Sequence, residues 1–113
     1  MRRTVTFEAY LGFSGDSASL HLSGELRDID VPVLRSLLDQ ALARDIDQLT
    51  VEAERLTAIA AGGVRCLAFA LQRLPKHARL LIAGASPRVR EMLARGGVEE
   101  TVTLVEARVG GTG

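Results

Sequence analysis

Hydrophobic and polar positions alternate with a period of two through the first part of the chain. Val5, Phe7, Ala9 and Leu11 fall on one face of residues 4–11, with Thr4, Thr6, Glu8 and Tyr10 on the other. That pattern predicts a strand with one buried and one solvated side. Gly12 to Asp16 supply turn chemistry, and Ala18, Leu20 and Leu22 then oppose Ser19, His21 and Ser23. Two alternating runs around a turn predict an antiparallel hairpin, ended by Gly24. The period then changes. Leu34, Leu37, Leu38, Ala41 and Leu42 recur at i, i+3, i+4, i+7 and i+8, the stripe of an amphipathic helix. Asp30 is placed to cap it, and Pro32 in its first turn needs no N–H partner.

Leu49, Val51 and Ala53 alternate with Thr50, Glu52 and Glu54 in a third strand. The turn Ala60-Ala61-Gly62-Gly63 leads into a second helix with Val64, Leu67, Ala68 and Leu71 on one face and Pro75 at its end. Leu80-Leu81-Ile82-Ala83 reads as a short strand buried on both faces. Ser86 and Pro87 open a third helix with Val89, Met92 and Leu93 as its stripe, and Gly96-Gly97 stops it. Val102 and Leu104 suggest a last short strand. The order β-β-α-β-α-β-α-β, with strands and helices alternating after the hairpin, demands parallel pairing through right-handed crossovers. The expected fold is a single α/β domain over residues 4–106, a mixed sheet with helices packed against it, followed by a flexible tail at 107–113.

Composition narrows the function. The 113 residues suffice for one domain, and 47% are apolar, as a packed core requires. Lys plus Arg and Asp plus Glu both number 14, so the basic excess expected of a nucleic-acid binder is missing. The most apolar region is interrupted by Arg65 and Gln72, leaving no transmembrane candidate, and Arg2-Arg3 is followed by alternating sequence instead of the apolar block of a secretory signal. With Cys66 alone no internal disulfide forms, and a reduced, cytoplasmic setting is expected.

Candidate chemistry is sparse. His21 lies on the polar face of a strand and His77 in a loop, without the ligand spacing of a metal site, and both read as solvated surface residues. Cys66 flanks the second helix's apolar face, where a packed small hydrophobe is the reading preferred over a redox switch. Arg79, Arg88, Arg90 and Arg95 surround the third helix, and a solvated face partnered by Glu91, Glu99 and Glu100 is preferred over an anion patch. Neither phosphate-binding glycine motif occurs, nor a nucleophile elbow, so no catalytic residue, metal or cofactor is assigned. What stands out is the corner at Ala60–Val64. Its paired glycines admit close approach, and first-turn helix amides lack intrahelical partners. The residues argue for a binding module over an enzyme.

Three segments together resemble the STAS domain, shared by bacterial anti-sigma factor antagonists and the cytoplasmic tails of sulphate transporters. Gly24-Glu25-Leu26, ahead of Pro32-Val33-Leu34-Arg35, resembles the family's G-E-L-D entry to its first helix, with Arg27 at the aspartate. Leu49-Thr50-Val51-Glu52-Ala53 resembles its l-v-l-D-l strand, with Glu52 for Asp, and Ile59-Ala60-Ala61-Gly62-Gly63-Val64 occupies the place of I-D-S-S-G-L. In antagonists the first serine of that motif is phosphorylated, and the unphosphorylated form binds an anti-sigma factor that is usually also a serine kinase. The phosphate adds roughly −1.5 to −2 charges at the docking surface. Here the resemblance puts Ala61 at that serine, Ala60 at the aspartate and Gly62 at the second serine.

The resemblance thus implies a non-catalytic regulator of bacterial partner switching without the phosphorylatable serine. It implies a partner-facing surface of Arg27, Asp28, Thr57, Ala60, Ala61, Gly62, Gly63 and Val64, an anti-sigma factor or serine kinase-like partner, and leaves a homodimer open. Two other readings compete. One is a STAS subunit of a larger assembly, such as a lipid-transport ATPase complex or a stressosome-like scaffold. The other is a small anion- or nucleotide-binding domain using Arg27 and the helix start at Gly62 and Gly63. Thr57 and Ser86 are nearby hydroxyls that could replace the lost switch, although a strand-end polar residue and a helix cap are the preferred readings of them.

Overall fold

The computed structural model describes residues 6–98 and the strand Thr103–Val105. Five strands form one sheet in the order β1-β2-β3-β4-β5: β1 Glu8–Ser14, β2 Ser17–Leu26, β3 Gln48–Ile59, β4 Arg79–Ala83 and β5 Thr103–Val105. β1 and β2 are antiparallel, and every later neighbour is parallel. Helices α1 (Val31–Leu42), α2 (Ala61–Arg73) and α3 (Pro87–Arg95) connect the parallel strands, and a 3-10 turn at Asp28–Asp30 precedes α1. The expected mixed α/β domain is the observed one. Thr4, Val5, Glu99, Glu100, Val102, the bounds at 4 and 106 and the tail at 107–113 lie outside the described residues.

Each parallel strand is laid beside the previous one in the same direction, so right-handed crossovers put all three helices on one face. This corrects the reading of β4. Leu80 and Ile82 are buried under the helices, whereas Leu81 points to the uncovered face and is only half-buried. On β2 and β3 the alternation reads as expected, with Ala18, Leu20, Leu22, Leu49, Val51 and Ala53 all inward and buried. On the outer face Tyr10 stacks flat on His21, ring centroids 4.4 Å apart.

The hairpin turn is tighter than the glycines at 12 and 15 suggested. β1 runs through Gly12 to Ser14, opposite Ser17, and only Gly15 and Asp16 form the loop. Gly15 has φ 58°, the conformation that a glycine-first two-residue hairpin turn requires. Nor does Gly24 end β2. After Ser23 the strand outlasts β1 but stays paired with β3 as far as Leu26↔Ile59. β3 likewise extends beyond Ala53 to Ile59 through two register shifts against β2, which return Leu56 and Ile59 to the core.

The helices bury the stripes their periods indicate, with one rotation. α1 buries Leu34, Leu38 and Ala41, with Leu37 and Leu42 packed at the margin. α2 buries Gly63, Val64, Cys66, Leu67 and Ala70, while Ala68 and Leu71 are half-buried. Its inward face is turned toward α1, across which Arg73 Nη1 meets Asp39 Oδ1 at 2.6 Å. The start of α3 is as anticipated: Ser86 Oγ accepts the Val89 amide at 3.2 Å. At its end Gly97, φ 76°, donates to Ala94 O and Val98 N donates to Leu93 O at 3.0 Å each. This left-handed closure sends the fully buried Val98 back onto the core beside Leu93.

Candidate partner-docking site

The carboxyl ends of β2 and β3 meet at one corner. The Ala60 amide donates to Leu26 O at 2.8 Å, fixing the start of α2 beside the point where β2 turns into the 3-10 segment. Ala60 is the N-cap residue with extended φ −76°, ψ 158°, and it has no side-chain oxygen with which to cap. Instead its carbonyl accepts the Gly63 and Val64 amides at 2.9 and 3.2 Å. The glycines therefore belong to the first turn of the helix, not to a loop before it.

Sequence-predicted site residues divide at this corner. Ala61 is exposed, Ala60 and Gly62 are half-buried, and Arg27 and Asp28 are exposed on the adjacent 3-10 segment. Gly63 and Val64 correct the expectation of a five-residue surface, because both are buried. A Cβ on Gly63 would lie 2.9 Å from Leu26 Cδ2 and 3.0 Å from Ile59 Cγ1, so its bareness lets α2 sit close on the strand ends beneath. At Gly62 a Cβ would instead meet Asp28 Oδ1 at 3.0 Å and Val31 Cγ2 at 3.5 Å, which ties the helix start to the 3-10 segment. Thr57 is a neighbour of a different kind: its hydroxyl donates to Gly24 O at 3.1 Å and pins the second irregularity of β3.

Asp30 also departs from its expected role. It is the residue before α1 but makes no side-chain cap there. Its carboxylate turns back to accept the Arg27 amide at 3.0 Å and lies 3.5 Å from Arg27 Nε. The Arg27 charge is thus partnered locally and Asp28 adds a carboxylate beside Gly62, which weakens the positive field an anion would seek, although Arg65 and Arg88 also face this corner. A cleft of about 370 Å³ runs between this corner and α3, with Arg88 and Met92 on its far wall.

Three exposed apolar residues, on the 3-10 segment and the first two helices, have no place in the sequence-predicted site. Ile29 is 74% exposed on the 3-10 segment, Val33 49% on α1 and Phe69 61% on α2. The signal for two of them is in the sequence: Val33 and Phe69 are large apolar residues off the buried stripes of α1 and α2, whereas Ile29 stands in a segment with no buried residue. Cys66 is inside, between Arg35, Asp39 and Arg73 on the α1–α2 seam. Burial pushes its thiol up from its ordinary value, outweighing the cations beside it, so the neutral thiol is favoured and the packed reading fits. His77 is exposed, and His21 is taken up by its stack on Tyr10. Arg95 pairs with Glu91 at 3.1 Å on the exposed side of α3. Among the described residues no group of His, Cys, Asp and Glu could hold a metal, and no helix is long and apolar enough to cross a membrane.

The family model described as "Mlab, STAS domain" matches residues 10–106. No curated protein matches the chain. Among solved structures, an anti-sigma factor antagonist from Mycobacterium paratuberculosis aligns with TM-score 0.81 at 17% identity, over 88% of this chain and 86% of that one. The Bacillus cell fate determinant SpoIIAA in its phosphorylated form aligns with TM-score 0.70 at 19% identity, over 91% and 92%. RsbS from Moorella thermoacetica aligns with TM-score 0.68 at 16% identity, over 89% and 87%. At these identities the structures establish a common fold, and the family model, spanning both strand ends that build the corner, establishes kinship: the chain belongs to the STAS domain family.

Proposed function

We propose that this protein is a non-catalytic regulator that docks on an anti-sigma factor or serine kinase-like partner in the cytoplasm of a bacterium. Its docking surface is the corner formed by Arg27, Asp28, Ala60, Ala61 and Gly62, and it lacks the phosphorylation switch of antagonists. The observation that carries this reading is the exposed Ala61 at the first position of α2, between two half-buried residues that have no hydroxyl either. A surface of this kind meets a partner through shape and backbone, with Ile29 supplying apolar contact at its edge. Without an acceptor oxygen at residues 60–62, no phosphate can be added there, and control falls to partner abundance or to another site. Capture of partners from native lysate on the immobilised protein tests the reading, with Ala61→Asp as the matched control. Recovery of an anti-sigma factor or kinase-like protein by the parent and its loss by the variant is the expected result. Equal recovery by both removes the corner from the interface.

The Mlab description of the matching family model favours a second reading, a STAS subunit of a larger assembly. It uses the same corner and differs in what is captured, since a transport ATPase or scaffold component would be recovered in place of a sigma-factor regulator. The anion-binding alternative has less support, because Arg27 is paired with Asp30 and Asp28 already lies beside Gly62.

A further inference from the structure

β1 is the first strand of the sheet, and among the described residues it pairs with β2 alone. Backbone N–H and C=O groups along its outer edge therefore form half a ladder, open to another strand. Among the described residues, and apart from the charge of Glu8, the features that usually block such an edge are missing. Glu8–Ser14 contains no proline and no lysine, and its register with β2 runs without a bulge from Glu8↔Ser23 to Ser14↔Ser17. Two aromatic side chains stand on it, Tyr10 at 63% exposure and Phe13 at 37%.

We propose that β1 pairs antiparallel with β1 of a second copy of this chain, about a two-fold axis through Leu11, joining the two sheets into one. The strand EAYLGFS is self-complementary about that axis. Glu8 then faces Ser14, Ala9 faces Phe13, Tyr10 faces Gly12 and Leu11 faces its own copy. Each aromatic lies opposite a small residue, and the strand's one charge lies opposite a hydroxyl instead of opposite itself. Gly12 has nothing within 4 Å of where its Cβ would be, which leaves room for the Tyr10 ring of the other copy. An aromatic laid across an edge glycine is a recognised way of completing a strand pair.

A two-fold axis normal to the sheet keeps inward residues opposite inward ones, so the register can shift only in steps that preserve the pleat. Moving the axis to Tyr10 would set Tyr10 on Tyr10 and Ala9 on Leu11, and moving it to Gly12 would set Leu11 on Phe13. Both shifts pair fewer residues and lose the large-to-small match. The axis at Leu11 alone pairs all seven residues of the strand.

Sedimentation equilibrium of the full chain tests this, with charge substitutions at the exposed Ser14. The parent should show a concentration-dependent monomer–dimer equilibrium. Ser14→Glu sets two like-charged pairs with Glu8 across the interface and should raise the dimer dissociation constant about fivefold, whereas Ser14→Lys should lower it by a similar factor. Gly12→Val meets open space within the protomer but fills the place of the Tyr10 ring, and should weaken the dimer independently. Circular dichroism matching the parent establishes that each variant is folded. A chain that stays monomeric up to its solubility limit overturns the proposal. So does a dimer whose dissociation constant is indifferent to both Ser14 substitutions.

Discussion

Replacing Gly63 by alanine separates the two reasons a glycine could stand at the start of α2. If the residue is bare so that a partner can approach, the added methyl leaves folding alone and damages binding. If it is bare so that the helix can sit on β2 and β3, the methyl damages folding first. The structure favours the second. The new Cβ would lie 2.9 Å from Leu26 Cδ2 and 3.0 Å from Ile59 Cγ1, inside contact distance of two side chains that are 1% and 4% exposed. Forcing a methyl into such packing costs about 1–3 kcal/mol. Alanine recovers something less than about 1 kcal/mol through helix propensity, reduced because the site is in the first turn. The net expectation is a loss of about 1–2 kcal/mol, or roughly 4–8 °C in Tm for a chain of this size. Gly62→Ala is the internal control. Its Cβ meets the exposed Asp28 carboxylate at 3.0 Å, a side chain free to swing aside, so Tm should stay level or rise slightly. Thermal and urea unfolding of the two variants beside the parent decides the matter. Equal or greater stability for Gly63→Ala than for Gly62→Ala would refute the packing argument and return Gly63 to the docking surface.

Other consequences are more local. Leu67→Ala should cost about 2–5 kcal/mol in urea unfolding, since Leu67 is 2% exposed on the inward face of α2 and its truncation leaves a cavity. Ser86→Ala removes the acceptor of the Val89 amide and should cost about 1 kcal/mol, read the same way. Burial raises the Cys66 thiol above its unfolded value, so stability is constant below the ordinary thiol range and falls as pH rises through it, where only the unfolded chain ionises freely. Cys66→Ser should flatten that alkaline decline in unfolding measured against pH, and native Cys66 should resist alkylation at neutral pH until the chain unfolds.

Much of this architecture is written in periodicity. The alternation of Ala18, Leu20 and Leu22, and of Leu49, Val51 and Ala53, identified two central strands, and the stripe from Leu34 to Leu42 identified α1. What was not legible lay where a local rule gave way to a tertiary one. β3 continues to Ile59 because two bulges re-phase it, and a bulge destroys the very period by which a strand is recognised. Gly24 looked like an ending because glycine punctuates, yet β3 keeps pairing with β2 beyond it. Leu81 looked doubly buried because an apolar run does not say which faces are covered; that depends on the direction in which the sheet grows. Asp30 had the chemistry of a cap but found the Arg27 amide closer.

The candidate site was legible in its position and misjudged in its depth. The Ala-Ala-Gly-Gly run did mark the junction of sheet and helix, and Arg27 and Asp28 do stand beside it. Sequence gave no means of telling that Gly62 looks outward to Asp28 while Gly63 looks inward to Leu26. The helical turn separates adjacent residues by about 100°, so one glycine serves the surface and its neighbour the core. Ile29 precedes the stripe that begins at Leu34, so no helical period in the sequence marks it.

Docking at this corner requires that Ala61 touch another protein. Calorimetric titration of the partner recovered from lysate into the parent and into Ala61→Asp measures this directly. A carboxylate at the first position of α2 suits the helix dipole and leaves folding intact, so a change in affinity reports on the interface alone. Binding at least about tenfold weaker is expected for Ala61→Asp, corresponding to roughly 1.4 kcal/mol or more. An affinity equal to the parent's would mean that the partner docks elsewhere on the molecule.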